Sequence, residues 1–218
     1  MVKYLTEPQQ RELLKAARTQ AGVLAQRDYH WMAALILTGM RIAEFAHLRT
    51  AQVKQGLATG WLVSRREHCK GKRKTNEYFV TMQLKLHLQH LVALSELEST
   101  SDDQPLVWGR SLNGVAGPLS VRSYEARMKV WTTAAVLDPR LSPHALRHTR
   151  GMNVMTRTRG SNGVLVAQRA LNHTSLRSTG IYLQMRREDY EREVAVVDGG
   201  GRMRKVEAQR LAAQGAVS

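Results

Sequence analysis

One cysteine, Cys69, stands in 218 residues. A single thiol cannot build a disulfide framework or a cysteine-based zinc site, and it suits a reducing compartment. No apolar run approaches the roughly 20 residues that span a bilayer, and Met1 to Gln10 lacks the long apolar stretch of a signal peptide. A cytoplasmic protein with no membrane partner is the expectation. Acid is also scarce: 18 Asp and Glu stand against 33 Lys and Arg, a net charge of +15 with an isoelectric point near 10.6. No acidic cluster suggests a metal site, so neither metal nor other cofactor is expected. There is no internal repeat and no low-complexity stretch.

What is present points to a folded, basic chain. Hydrophobic residues make up 43%, enough for a core rather than disorder. The length allows one domain, or one domain of two lobes. The positive excess calls for a polyanion, and nucleic acid is the usual one, because each cation set on a phosphate releases a condensed counterion. The bland alternative is a merely soluble cationic surface.

Hydrophobic spacing predicts a mainly α chain with a small antiparallel β-sheet. Thr6, Pro8 and Gln9 form a helix start, with Thr6 as N-cap and Gln9 in the capping-box position, and Leu13, Leu14 and Ala17 mark its buried side to about Arg18. Further helices are expected over about Asp28–Leu37, ended by Gly39, and Arg41–Leu48. Trp61–Ser64 and Glu77–Met82 are β-like, joined through a basic turn from Cys69 to Thr75. Helices are expected again at Gln83–Leu97, Ser120–Val136, Pro143–Thr158, Asn162–Leu171 and Ser175–Met185, with a continuation over Glu188–Val197. Ser101–Pro105 and Gly109–Pro118 are loop-rich and suit a linker between lobes. Gly199 to Gly201 breaks the chain before a tail from Arg202. The domain expectation is therefore 1–197, then a flexible basic tail, 198–218.

Four short segments carry polar groups that suit phosphate chemistry. Thr38-Gly39-Met40-Arg41-Ile42-Ala43-Glu44 sets an arginine just after a glycine turn. His144-Ala145-Leu146-Arg147-His148-Thr149 sets a histidine and an arginine three apart, on one face of a helix start. Leu171-Asn172-His173 ends a helix on a histidine. Thr179-Gly180-Ile181-Tyr182 places a tyrosine nine residues later. Singly, each has a commoner reading: a core tyrosine, a satisfied histidine, a solvated arginine. Their weight comes from joint occurrence, in this order, in a very basic chain.

In that order the segments resemble the phage-integrase, or tyrosine recombinase, family. Its pattern runs TGxRxxE, a lysine on a β-hairpin, HxLRHT, LGH, then TxxxY or TxxY, and the likeness covers about Tyr4 to Tyr190. Asn172 replaces the usual glycine, and asparagine tolerates a left-handed helix end. Counting back from Val80 favours Lys72 as the hairpin lysine, with Lys70 and Lys74 open if the turn differs in length. Lys70, Arg73 and Lys74 then read as DNA contacts, and the whole run reads equally as a phosphate-binding turn with no catalytic member.

The resemblance implies the tyrosine recombinase catalytic-domain fold and a DNA strand-breaking and rejoining activity without ATP or metal. Tyr182 would be the nucleophile, forming a 3′-phosphotyrosine that conserves the bond for rejoining. Arg41 and Arg147 would grip the non-bridging oxygens. His144 would donate to the phosphate or take the tyrosine proton, His173 would add a hydrogen bond to the same phosphate, and Lys72 would protonate the departing 5′ oxygen. Glu44 is expected to orient its neighbours, and His148 to support the arginines. Double-stranded DNA, a tetramer on DNA and an accessory DNA-binding protein are the implied partners. The region begins at Lys3, leaving no room for the family's usual N-terminal helical domain. In this the chain is similar to the compact fimbrial-switch invertases, or is a fragment. A relaxing enzyme of the type IB topoisomerase kind and a non-catalytic DNA-binding relative remain the alternatives.

Overall fold

The computed structural model describes residues 4–69, 75–99, 101, 103–110, 116–158, 162–173 and 179. The chain divides into two units at Thr179, and the second, residues 180–218, lies outside the described residues. The expected helix at Glu188–Val197, the tail, and all of Ser175–Met185 except Thr179 fall there or in the adjoining gap. Among the described residues no helix is long and apolar enough to cross a membrane.

Eight helices and two small ribbons make up the described part: α1 Glu7–Arg18, α2 Val23–Thr38, α3 Ile42–Phe45, α4 Thr50–Thr59, β1 Trp61–Ser64, β2 Asn76–Phe79, α5 Met82–Glu96, β3 Trp108–Arg110, β4 Ala116–Pro118, α6 Val121–Ala134, α7 Pro143–Arg157 and α8 Gly163–Ala170. The centre is α2. It is apolar almost all round, as a helix covered on several sides must be: Trp31, Met32, Ala34 and Leu35 are essentially fully buried. α1 packs on it through Leu13 and Ala17, α5 through Leu84, Leu88 and Leu91, and α7 through Ala145 and Leu146. Trp31 meets Tyr124 of α6 edge to face at 5.0 Å between centroids, a geometry the ring quadrupoles favour.

The starts of the helices follow their sequence signals. Gln9 accepts from the Thr6 N–H at 2.9 Å, Thr81 accepts from Leu84 N–H at 3.3 Å and Ser120 from Ser123 N–H at 3.1 Å, each filling an orphan donor of a first turn. The fold departs from the sequence expectation in four places. α2 begins at Val23, five residues early. α3 spans only Ile42–Phe45. α4 was not expected at all, because its buried stripe is thin (Thr50, Val53 and Gly56) and a mid-helix glycine reads as a break. Gly56 has a packing reason: a Cβ there would lie 3.1 Å from the Leu62 Cα of β1.

The fourth departure corrects the expected linker. Residues 104–110 and 116–119 are woven into the core: Gln104 and Leu48 carbonyls accept from Thr50 and Leu106 N–H at 3.0 and 2.9 Å, Leu106, Val107 and Leu119 are buried, and β3 pairs antiparallel with β4. The glycines that suggested a loop sit in three-residue strands too short to show alternation. The first ribbon pairs Leu62 with Tyr78 and Ser64 with Asn76. Those four face inward and are buried, whereas Trp61, Val63, Glu77 and Phe79 face out.

A histidine cluster, not anticipated from sequence, bridges α2 and α5. His30 and His87 share a hydrogen bond, Nδ1 to Nδ1, at 2.9 Å, and His90 stacks on His30 at 4.4 Å. That bond needs at least one neutral ring. Burial, then His90 and His87, push His30 down to about 4, and burial and His90 lower His87. The unfolded chain therefore takes up protons between pH 6.5 and about 4 that the folded chain refuses, and stability drains as pH falls through that window. With screening by partial solvent contact, the loss from His30 is on the order of 2–3 kcal/mol. Thermal melts at pH 7 and pH 4.5 should differ by roughly 5–10 °C, and a flat profile would refute this assignment.

Candidate active site

The first arginine is placed by a turn. Thr38 closes α2 by donating to the Ala34 carbonyl at 2.8 Å and accepting from Met40 N–H at 3.2 Å. Gly39 then takes φ +66°, which side chains disfavour. A Cβ at Gly39 would also fall 2.6 Å from Leu171 Cδ2 and 2.8 Å from Arg150 Cγ. Arg41 follows in extended backbone as the N-cap of α3. Its Nη1 pairs with Glu44 at 2.9 Å, and its side chain keeps 27% exposure. Gly39→Ala would force both strain and overlap, costing on the order of 2–3 kcal/mol. A chemical-denaturation midpoint equal to the wild type would contradict that.

Arg147 lies one turn along α7 from its start at Pro143, and is 3% exposed. Its Nη1 donates to the Gly39 carbonyl at 2.5 Å and its Nη2 to the Leu171 carbonyl at 2.6 Å. One guanidinium thus ties the end of α2, the body of α7 and the end of α8. Its rigid fork is what permits two such bonds at once.

The histidines converge on the same place. His144 sits in the first turn of α7, edge-on to His148 with centroids 4.5 Å apart. His173 follows Asn172, which holds φ +50° and donates from Nδ2 to the Glu77 carbonyl of β2 at 2.9 Å. His173 Nδ1 hydrogen-bonds the hydroxyl of fully buried Thr179 at 3.0 Å. Partial burial, then Arg147 and Arg41, lower His144. Burial, the same two guanidiniums and His148 bring His173 down to about 4. Burial, His144 and Arg147 bring His148 to about 4. All three imidazoles are therefore neutral at pH 7, each able to donate one hydrogen bond and accept one.

The structure thus gathers Arg41 from the turn before α3, His144 and Arg147 from α7, and His173 from the end of α8, with His148 beside them. Tyr182, Lys70, Lys72, Arg73 and Lys74 lie outside the described residues. Sequence reasoning missed two contributors on β2. Asn76 Nδ2 donates to both Glu44 oxygens at 3.1 and 3.2 Å, and the Tyr78 hydroxyl donates to one of them at 2.6 Å. The signal available was two polar-capable residues two apart in a half-buried strand. Glu44 itself, 1% exposed, holds Arg41, Asn76 and Tyr78, so it orients its neighbours. Among the described residues, no three His, Cys, Asp or Glu side chains gather as a metal site would need.

Known proteins resemble this chain in sequence or in fold. A tyrosine recombinase XerC of Oceanobacillus iheyensis is 27% identical over 170 residues, 76% of this chain and 51% of that protein. The crystal structure of XerA recombinase superimposes with a TM-score of 0.68 at 23% identity, over 91% of this chain and 64% of that one. The Tn1549 transposon integrase in complex with transposon right end DNA does so with a TM-score of 0.68 at 16% identity, over 89% and 65%. The chain spans about half the length of the relatives it matches in sequence. The expected fold, mainly helical with small antiparallel ribbons, is the one these structures have. The sequence pattern of the phage integrase family matches residues 3–189, most of the length, and the chain belongs to that family.

Proposed function

We propose that this chain is the catalytic domain of a site-specific DNA recombinase that cleaves and rejoins DNA through a 3′-phosphotyrosine on Tyr182. The observation that carries this reading is the convergence of two guanidiniums, one buried and braced on two backbone carbonyls, with two neutral histidines. Such a cluster suits a phosphodiester whose charge grows on attack, because fixed, preoriented donors cost no reorganisation as the transition state forms. In the proposed step the Tyr182 oxygen bonds to phosphorus and the bond to the 5′ oxygen breaks. His144 takes the phenol proton and Lys72 supplies one to the leaving oxygen. With Thr179 donating to His173 Nδ1, the imidazole proton sits on Nε2, the tautomer that can donate to a non-bridging oxygen. Rejoining is the same step reversed, so neither ATP nor net oxidation is required.

The partner is double-stranded DNA in the cytoplasm, supported by the net charge of +15 and by the DNA-bound recombinases among the similar structures. Lys70, Arg73 and Lys74 are proposed DNA contacts, residues 1–197 the catalytic domain and 198–218 a basic tail. Pairs of protomers acting in a tetramer, with an accessory DNA-binding protein, complete the proposal. Affinity should fall roughly a hundredfold or more between about 50 and 200 mM salt, as for four or more phosphate contacts; a titration insensitive to salt would count against it. The function is tested by mixing the protein with a supercoiled plasmid carrying two copies of a candidate site from its own genomic neighbourhood. Rearranged plasmid is expected, and relaxation without rearrangement would mean a topoisomerase instead.

A further inference from the structure

We propose that Tyr78 and Asn76 are positioning residues that aim Arg41 through Glu44; this rests on the function proposed above. Arg41 stands on a short segment, between a left-handed glycine and a four-residue helix. Its aim depends on the carboxylate it pairs with. That carboxylate is fully buried, its side chain 0% exposed, and a buried charge needs its lone pairs occupied. β2 supplies the occupants. Strand alternation puts Asn76 and Tyr78 on the inward face, two residues apart, 4% and 3% exposed. Asn76 spans both oxygens and Tyr78 caps the second, leaving the first to Arg41.

Two features separate this from ordinary core filling. An inward strand position beside Leu62 would be filled as well by an apolar residue, yet both positions carry donors matched to one carboxylate. The Tyr78 hydroxyl also stays a donor at any working pH, because burial and the Glu44 charge raise its ionisation far above the usual range. The ribbon therefore fixes the carboxylate, and the carboxylate fixes the guanidinium, so that Arg41 meets the phosphate already aimed.

The test uses Tyr78→Phe and Asn76→Ala in the full chain, measuring single-turnover adduct formation on a nicked duplex. Each variant is compared on the natural scissile phosphate and on a methylphosphonate at the same position. The methylphosphonate is neutral, so it removes much of the charge that Arg41 serves. On phosphate, each variant should form adduct about tenfold more slowly than wild type, about 1.4 kcal/mol of transition-state stabilisation, with DNA affinity within about twofold. On methylphosphonate, the gap between wild type and variant should shrink towards unity, the mark of coupling to Arg41. A gap equal on both substrates, or no gap on phosphate, would overturn the inference. Should Tyr78→Phe not fold, as read by circular dichroism, Asn76→Ser carries the same comparison. A wild type that forms no Tyr182-dependent adduct gives a different result: it overturns the proposed function, and this inference with it.

Discussion

Arg147→Lys should lose roughly a hundred- to a thousandfold in DNA cleavage while still binding DNA, and should melt roughly 5–10 °C lower. Both effects come from one geometry. The guanidinium is 3% exposed and satisfies the Gly39 and Leu171 carbonyls together. A lysine ammonium is a point donor and cannot span both, so at least one buried carbonyl loses its partner, at about 1–3 kcal/mol. Burying a more strongly hydrated cation adds to that cost and brings the melting shift to the stated size. The catalytic loss is separate: in the proposed mechanism Arg147 also donates to the phosphate, and one preoriented donor is typically worth about a hundred- to a thousandfold. Cleavage assayed well below the variant's melting temperature separates the two. Near-wild-type cleavage by a folded Arg147→Lys protein would show that its role is structural only.

α1 and α5 were legible because their cores repeat at helical spacing, Leu13 with Ala17 and Leu84 with Leu88 and Leu91, and α6 and α7 because Ser120 and Pro143 mark their starts. α4 and the second ribbon were not legible, since Val53 alone marks the helix and Gly109 and Gly117 break any strand pattern. The site divides in the same way. Arg41, His144, Arg147 and His173 could be named because each lies in a short contiguous motif. The contacts that set them could not. Glu44 meets Asn76 and Tyr78 across 32 and 34 residues, and His30 meets His87 across 57. Such pairings are decided by which strand or helix faces which, and no local spacing encodes that. Gly39 is intermediate. Its place in the motif was visible, but the reasons for it, a left-handed turn and the approach of Leu171, belong to the fold.

Tyr182→Phe should abolish covalent chemistry altogether, the largest effect expected of any substitution here. Phenylalanine keeps the ring and removes the oxygen that the proposed mechanism bonds to phosphorus, so on that mechanism no adduct forms however well DNA binds. The fold should be unaffected beyond about 1 kcal/mol, the worth of a single hydroxyl. Loss of the proposed nucleophile would be a loss of mechanism, not of rate, because on that mechanism the arginines and histidines stabilise charge only once an attacking oxygen has begun to bond. The measurement is covalent trapping: wild type and Tyr182→Phe are each mixed with a nicked duplex carrying a candidate site, denatured, and examined for protein joined to DNA. Wild type should give an adduct and Tyr182→Phe none. An adduct that survives the substitution would contradict this and make Tyr190 the residue to test, whereas no adduct from wild type on any site would contradict the enzymatic reading itself.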